Sequence, residues 1–322
     1  MYTPRTFPML DADELVREIA TLRDQVRNWG RWGADDEIGT LNLITPAKRA
    51  AAAQLVRKGV TFSLQIPMNN KGPMTGAGRV NPIHTMTATG CDDVQLFPMA
   101  AGARYTDDVM FLYLQSGTEW DGLAHVFYDG QLYNGYDASN VDSNGAHKVG
   151  IDKTCSSYVS RGVLLDVARF HGVDCLDPAH RIDGDELDEV AAAQGVSIES
   201  GDIVLVRTGV LAHYARTHRW DVYHGSHPGL HQRAAIWLHD HEIAAVASDN
   251  GSVEGVDKQS LLAIPLHQLA LRDMGLPLGE TFNLEALAAD CEADGVYECF
   301  LVAPALNITG AVGSPVNPLA MK

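Results

Sequence analysis

Glu119 and Asp121, inside Leu114-Gln-Ser-Gly-Thr-Glu-Trp-Asp-Gly-Leu-Ala-His125, constrain what this chain can fold into more than any other pair. In an extended segment alternate side chains share a face, so these two carboxylates point together. Carboxylates this close repel unless a proton or a cation sits between them. Gln115 and His125 stand at odd positions as well, and Gly117 and Gly122 interrupt the run. The apolar stretch Val109–Leu114 reads as a buried strand, with Gly117 free to turn the backbone behind it. Ligand-type side chains are therefore expected where a strand ends. The competing reading is a polar loop in which Asp121 and Thr118 bond turn amides.

The same segment resembles a degenerate copy of the signature of the metal-dependent cyclase/kynurenine formamidase-like hydrolase family, His-x-Gly-Thr-His-x-Asp-x-x-x-His. Gly117, Thr118, Asp121 and His125 match it, while Gln115 and Glu119 replace its first two histidines. Further blocks look similar: Arg161-Gly-Val-Leu-Leu-Asp166, Gly201-Asp-Ile-Val-Leu-Val-Arg-Thr-Gly209 and Gly313-Ser-Pro-Val-Asn317. The resemblance runs from about residue 29 to the C-terminus. It implies an α/β fold with a mixed sheet, a swivelling β/β/α domain of the kynurenine formamidase-like type. It implies a divalent metal, Mn2+ or Zn2+, held by Gln115, Glu119, Asp121, His267 and Glu280, with His125 as the acid/base residue. Two lost histidines make this donor set richer in oxygen, which shifts preference from zinc toward manganese or magnesium.

His267 and Glu280 also carry a reading of their own. Pro265 suits the first turn of a helix running to Asp273, which puts His267 near the helix N-terminus. The helix dipole there disfavours imidazolium, and a metal needs neutral imidazole. The plain alternative is that His267 caps its helix and Glu280 forms a salt bridge.

The formal charge of −17 over 322 residues argues against nucleic acid or an anionic membrane as partner. No apolar run reaches the length of a membrane span, and the N-terminus lacks the basic start and apolar core of a signal peptide. Five scattered cysteines without a Cys-x-x-Cys indicate neither a disulfide framework nor a thiolate zinc site. A cytoplasmic protein acting on a small molecule is the expectation.

Along the chain, residues 11–28 read as an amphipathic helical arm capped by Asp11, so the expected division is 1–28 (arm) and 29–322 (one catalytic domain). Trp29 and Trp32 follow, suited to packing the arm on the body or on a second subunit; a homo-oligomer, dimer or tetramer, is expected. Thr45-Pro46 starts a helix that continues through Val56 to Gly59, and Val60–Ile66 alternates like a strand. Residues 67–108 read as loops with short strands, and 137–153 as a mobile loop. Asp129-Gly130 signals a hairpin. Val159–Val167, Ile203–Val206 and Ile243–Ala247 read as strands. Asp183 or Asp185 starts a helix that Gly195 ends, and Gly229–His241 reads as another. Arg207-Thr-Gly209 offers either an anion contact or a turn with a salt-bridged arginine. The seven histidines at 213, 218, 224, 227, 231, 239 and 241 are expected to be solvated or packed. Asp249 and Glu254 are weaker site candidates, at a strand's C-terminal end.

The chemistry these groups fit is a metal-dependent hydrolase that cleaves an amide C–N bond (aryl formamide, cyclic amide or imide) or a lactone through a metal-activated water. The alternatives are a metal-dependent cyclase or dehydratase on a ketide-like acid, and a non-catalytic binding protein that has lost the metal. A Ser-His-Asp hydrolase fits poorly, because no Gly-x-Ser-x-Gly elbow occurs.

Overall fold

The computed structural model describes residues 2–74, 78–92, 102–220, 223, 225–257 and 263–322. His224 and parts of the 67–108 stretch lie outside them. The fold is mixed α/β, of the swivelling β/β/α type, built on one nine-stranded sheet. Its strands in chain order are β1 (Thr61–Ser63), β2 (Glu119–Asp121), β3 (Val159–Asp166), β4 (Ile203–Arg207) and β5 (Ala245–Ser248). They are followed by β6 (Leu278–Glu280), β7 (Glu298–Val302), β8 (Gly313–Pro315) and β9 (Leu319–Met321). The spatial order is β1-β9-β7-β3-β4-β5-β6-β2-β8. The middle four, β3 to β6, run parallel, and the flanking pairs are antiparallel.

The continuous apolar runs of the central strands follow from burial on both faces. Val163, Leu165, Val204, Val206 and Val246 join one core cluster, while Leu164, Ile203, Leu205, Ala245 and Ala247 join the other. The N-terminal helix, Ala12–Val26, has a capping box at Asp11 and Glu14. Its Leu15, Ile19, Leu22 and Val26 enter the first cluster. Trp29 packs on the chain's own body, donating from Nε1 to the Arg272 carbonyl at 2.8 Å. The helix Gly184–Gln194 is capped by Asp183 and closed by left-handed Gly195.

Several expectations need correction. The strand expected over Val109–Leu114 is Asp107–Phe111, and it is exposed rather than buried. Among the described residues it pairs only with Ile83–Ala88, and none of them covers Ile83, Val109 and Phe111, which are exposed. The helix after Thr45 ends at Ala53, short of Val56. The helix expected over Gly229–His241 begins at Ala234, because Gly229–Leu230 instead pairs with Arg181–Ile182. Residues 137–153 are not a loose loop: they hold two short 3-10 turns and a strand pair, Val141–Asp142 with Gly145–Ala146. Beyond Pro265–His267 the helix widens to a π-helix over Gln268–Met274.

Candidate metal centre

β2 is sandwiched between β6 and β8, which sets the register of the centre. Glu119 lies opposite Glu280, Trp120 opposite Gly279, and Asp121 opposite Leu278 and Gly313. Alternation turns Trp120 to the other face, where it stacks on Tyr158 and donates to the Ala303 carbonyl. That anchor turns both carboxylates to the opposite face, where Asp121 meets His267. Gly279 is sterically required, since a Cβ there would meet Ala247 Cβ and the Trp120 ring at 2.6 Å; one at Gly313 would displace the Gln115 side chain. Thr118 pins the loop before β2: its hydroxyl donates to the Thr281 carbonyl and accepts from the Ile66 amide.

Ligand-type atoms of Asp121, His267 and Glu280 lie within 4.8 Å of one another, all three residues being buried. His267 Nε2 is 3.6 Å from Asp121 Oδ2 and 3.4 Å from Glu280 Oε1. Both oxygens of Glu119, Asp121 Oδ1 and Gln115 Nε2 are buried without a hydrogen-bond partner. Rotation about the last torsion of the Gln115 side chain brings its carbonyl oxygen to the same place. His125 sits at the rim, about one-fifth exposed, with Nε2 3.5 Å from Asp121 Oδ1. All six residues singled out in the sequence thus occupy one neighbourhood.

Three buried acids crowd one imidazole here, and the electrostatics show it. Burial raises the Glu119 pKa well above the carboxylate range, and Asp121 and Glu280 add to the rise. Glu280 is pushed up to about 7 by burial and by Asp121. Burial opposes ionisation of Asp121 too, yet His125 and His267 beside it bring its pKa below the ordinary value. Burial disfavours the His267 cation, but bonds to Asp121, Glu254 and Glu280 hold its pKa well above the usual imidazole value. A divalent ion fits this donor set. It would meet the orphaned oxygens, whose unpaired burial otherwise costs several kcal/mol on the order of the desolvation penalty. It would also expel protons on binding.

Two residues with a place here were missed or undervalued. Glu254 accepts from His267 and lies behind it, although its position after β5 suggested only a weak candidate. Arg79, from the Gly/Pro-rich stretch, donates to the Gln115 carbonyl and lowers the pKa of Glu119, Asp121 and Glu280; nothing in its local sequence marked it. The other candidates resolve structurally. Arg207 is paired with Asp166 and Glu285, as the salt-bridge reading had it. Asp249 accepts from the Thr208 amide and hydroxyl and the Gly209 amide, so it holds that turn.

A second group, His171, His180 and Glu186, has metal-like spacing. The Arg5 amide donates to His180 Nδ1, which leaves the proton on Nε2, where it donates to Glu186 at 3.0 Å. His171 also bonds Glu186. The group is satisfied by its own members and fastens the N-terminal residues Tyr2 and Arg5.

Comparison with known proteins identifies the fold and the family. A novel cyclase of known crystal structure shares 40% identity over 92% of this chain and 100% of its own, with a TM-score of 0.86. Isatin hydrolase A from Labrenzia aggregata matches at 15% identity, TM-score 0.59, over 84% of this chain and 94% of its own. A predicted metal-dependent hydrolase from Bacillus stearothermophilus matches at 17%, TM-score 0.52, over 82% and 98%. At such low identity these two report on the fold alone. No curated protein sequence matches. The family model named Cyclase matches residues 46–255, about two-thirds of the chain, and with the 40% relative it makes this protein a member of the Cyclase family.

Proposed function

We propose that the protein is a metal-dependent hydrolase that opens an amide C–N bond, in an aryl formamide, a cyclic amide or imide, or else a lactone. The observation that carries this reading is a buried group of acids around one imidazole: Asp121 and Glu280 close on His267, and beside them Glu119 and the Asp121 Oδ1 have no hydrogen-bond partner. Asp121, Glu119, Glu280 and His267 would hold the ion, with Gln115 completing the set through its amide oxygen. When bound, the ion lowers the pKa of a water and polarises the scissile carbonyl. His125, at the rim beside Asp121, accepts a proton from water and returns it to the leaving nitrogen or oxygen. The oxygen-rich donors favour Mn2+ over Zn2+. A cyclic lactam is the substrate class to try first, since the fold is shared with isatin hydrolases.

The non-catalytic reading is disfavoured physically. A chain that no longer bound a cation would gain by replacing clustered buried acids, yet Glu119 is 1% exposed and meets Asp121 and Glu280, which push its pKa up. Reaction of a panel of lactams, imides and lactones in 18O-labelled water tests the reaction class. Hydrolysis places one labelled oxygen in the product; turnover without label means a cyclase or dehydratase.

We further propose assembly into at least a dimer, in a reducing compartment such as the cytoplasm. A two-stranded ribbon is marginal alone, and an exposed apolar patch of this kind marks an interface. All five cysteines are free. No described helix is long and apolar enough to cross a membrane.

A further inference from the structure

Glu254 is 1% exposed, yet its carboxylate is fully used. Oε2 accepts from the Leu266 amide at 3.2 Å, and Oε1 accepts from the His267 amide at 3.3 Å. Oε1 also makes a short bond to His267 Nδ1. An ionised carboxylate can only accept, so Nδ1 carries the proton. The other ring nitrogen, Nε2, faces Asp121 and Glu280. The backbone on both sides is strained: Val253 has φ 57° and Ile264 has φ 39°, left-handed values that β-branched residues seldom adopt. Such outliers persist only where the surroundings over-determine them. Glu254 is itself anchored, through the Gly255 amide to the Leu230 carbonyl and the Ser252 hydroxyl to its own carbonyl.

We infer that Glu254 is a positioning residue: it locks His267 with Nδ1 protonated, so that Nε2 is the atom presented to the ion. This rests on the proposed metal centre for its purpose, but the lock itself is a property of the metal-free chain. Outer partners of this kind fix the tautomer and ring orientation of a ligating histidine and raise its basicity. Replacement by glutamine keeps the shape and fails chemically. One end of an amide is a donor, so Glu254→Gln sets NH2 against either the Leu266 amide or His267 Nδ1–H.

The experiment pairs two readouts on wild type, Glu254→Gln and Glu254→Ala. Proton NMR of the metal-free protein should show a strongly downfield His267 Nδ1–H in wild type, shifted upfield or lost to exchange in both variants. Titration with Mn2+ alone should give a Kd about 10–100-fold weaker in Glu254→Gln, with its far-UV spectrum unchanged. A wild type without that proton signal overturns the inference, as does a folded Glu254→Gln with wild-type Mn2+ affinity. If the signal behaves as expected but wild type binds no ion, the lock stands and the metal centre falls.

Discussion

Glu119→Gln should reverse its effect on stability according to whether metal is present. Glu119 is buried opposite Glu280 and beside Asp121, with both oxygens unbonded. In metal-free protein the substitution removes one of three clustered acids without changing volume. Glutamine spares the chain the cost of protonating this buried carboxyl, about 1.4 kcal/mol for each pH unit between the ordinary carboxylate value and the raised one, so the variant should gain on the order of 1–3 kcal/mol near neutral pH. With metal at about 1,000 times Kd, wild type gains about 4.1 kcal/mol and overtakes the variant, which lacks a donor. Denaturant unfolding with chelator and then with Mn2+ reads both limbs. A variant that is less stable in chelator, yet responds to Mn2+ as wild type does, would refute the reasoning. Glu119 would then be a structural hydrogen-bonding group and not a ligand.

Three further outcomes follow from the structure. His125→Ala should leave metal content nearly intact and slow the chemical step roughly 10²–10⁴-fold, whereas Glu119→Ala should lose metal and activity together; equal metal loss in both makes His125 a ligand. His231, stacked on Phe7, has its pKa lowered by burial to about 4 from 6.5, so it adds stability above pH 6.5 that is lost as pH falls toward 4. At about 1.4 kcal/mol per unit, His231→Phe should flatten that acid limb by about 3 kcal/mol in unfolding at pH 7 and pH 4; an unchanged slope contradicts it. Sedimentation at micromolar concentration should give a mass of at least two chains, and a value near 34.8 kDa counts against the dimer.

What the sequence disclosed follows from how local each signal is. Asp11, Asp183 and Gly195 announce helix ends through chemistry confined to one turn, and the structure has those ends. Glu119 and Asp121 could be placed on one face because strand alternation is geometric. The exposed ribbon was misread because Val109–Phe111 is apolar, and apolarity normally signals a core; burial depends on what packs above, which local pattern does not encode. The Gly229–His241 helix was overextended because pairing of Gly229–Leu230 with Arg181–Ile182 is a contact across 48 positions. Glu254 was undervalued for the same reason: its worth comes from His267, thirteen residues on and across a left-handed turn at Ile264.

Elemental analysis of protein purified without chelator, wild type beside Asp121→Asn, tests the metal centre most directly. Asp121 faces His125 and His267 with one oxygen toward each, and the substitution keeps its shape while removing its charge. Wild type should carry stoichiometric divalent metal, manganese before zinc, and Asp121→Asn should lose most of it while still unfolding cooperatively. A wild type that holds no metal after incubation with Mn2+ or Zn2+, or an Asp121→Asn variant that keeps a full equivalent, contradicts the account.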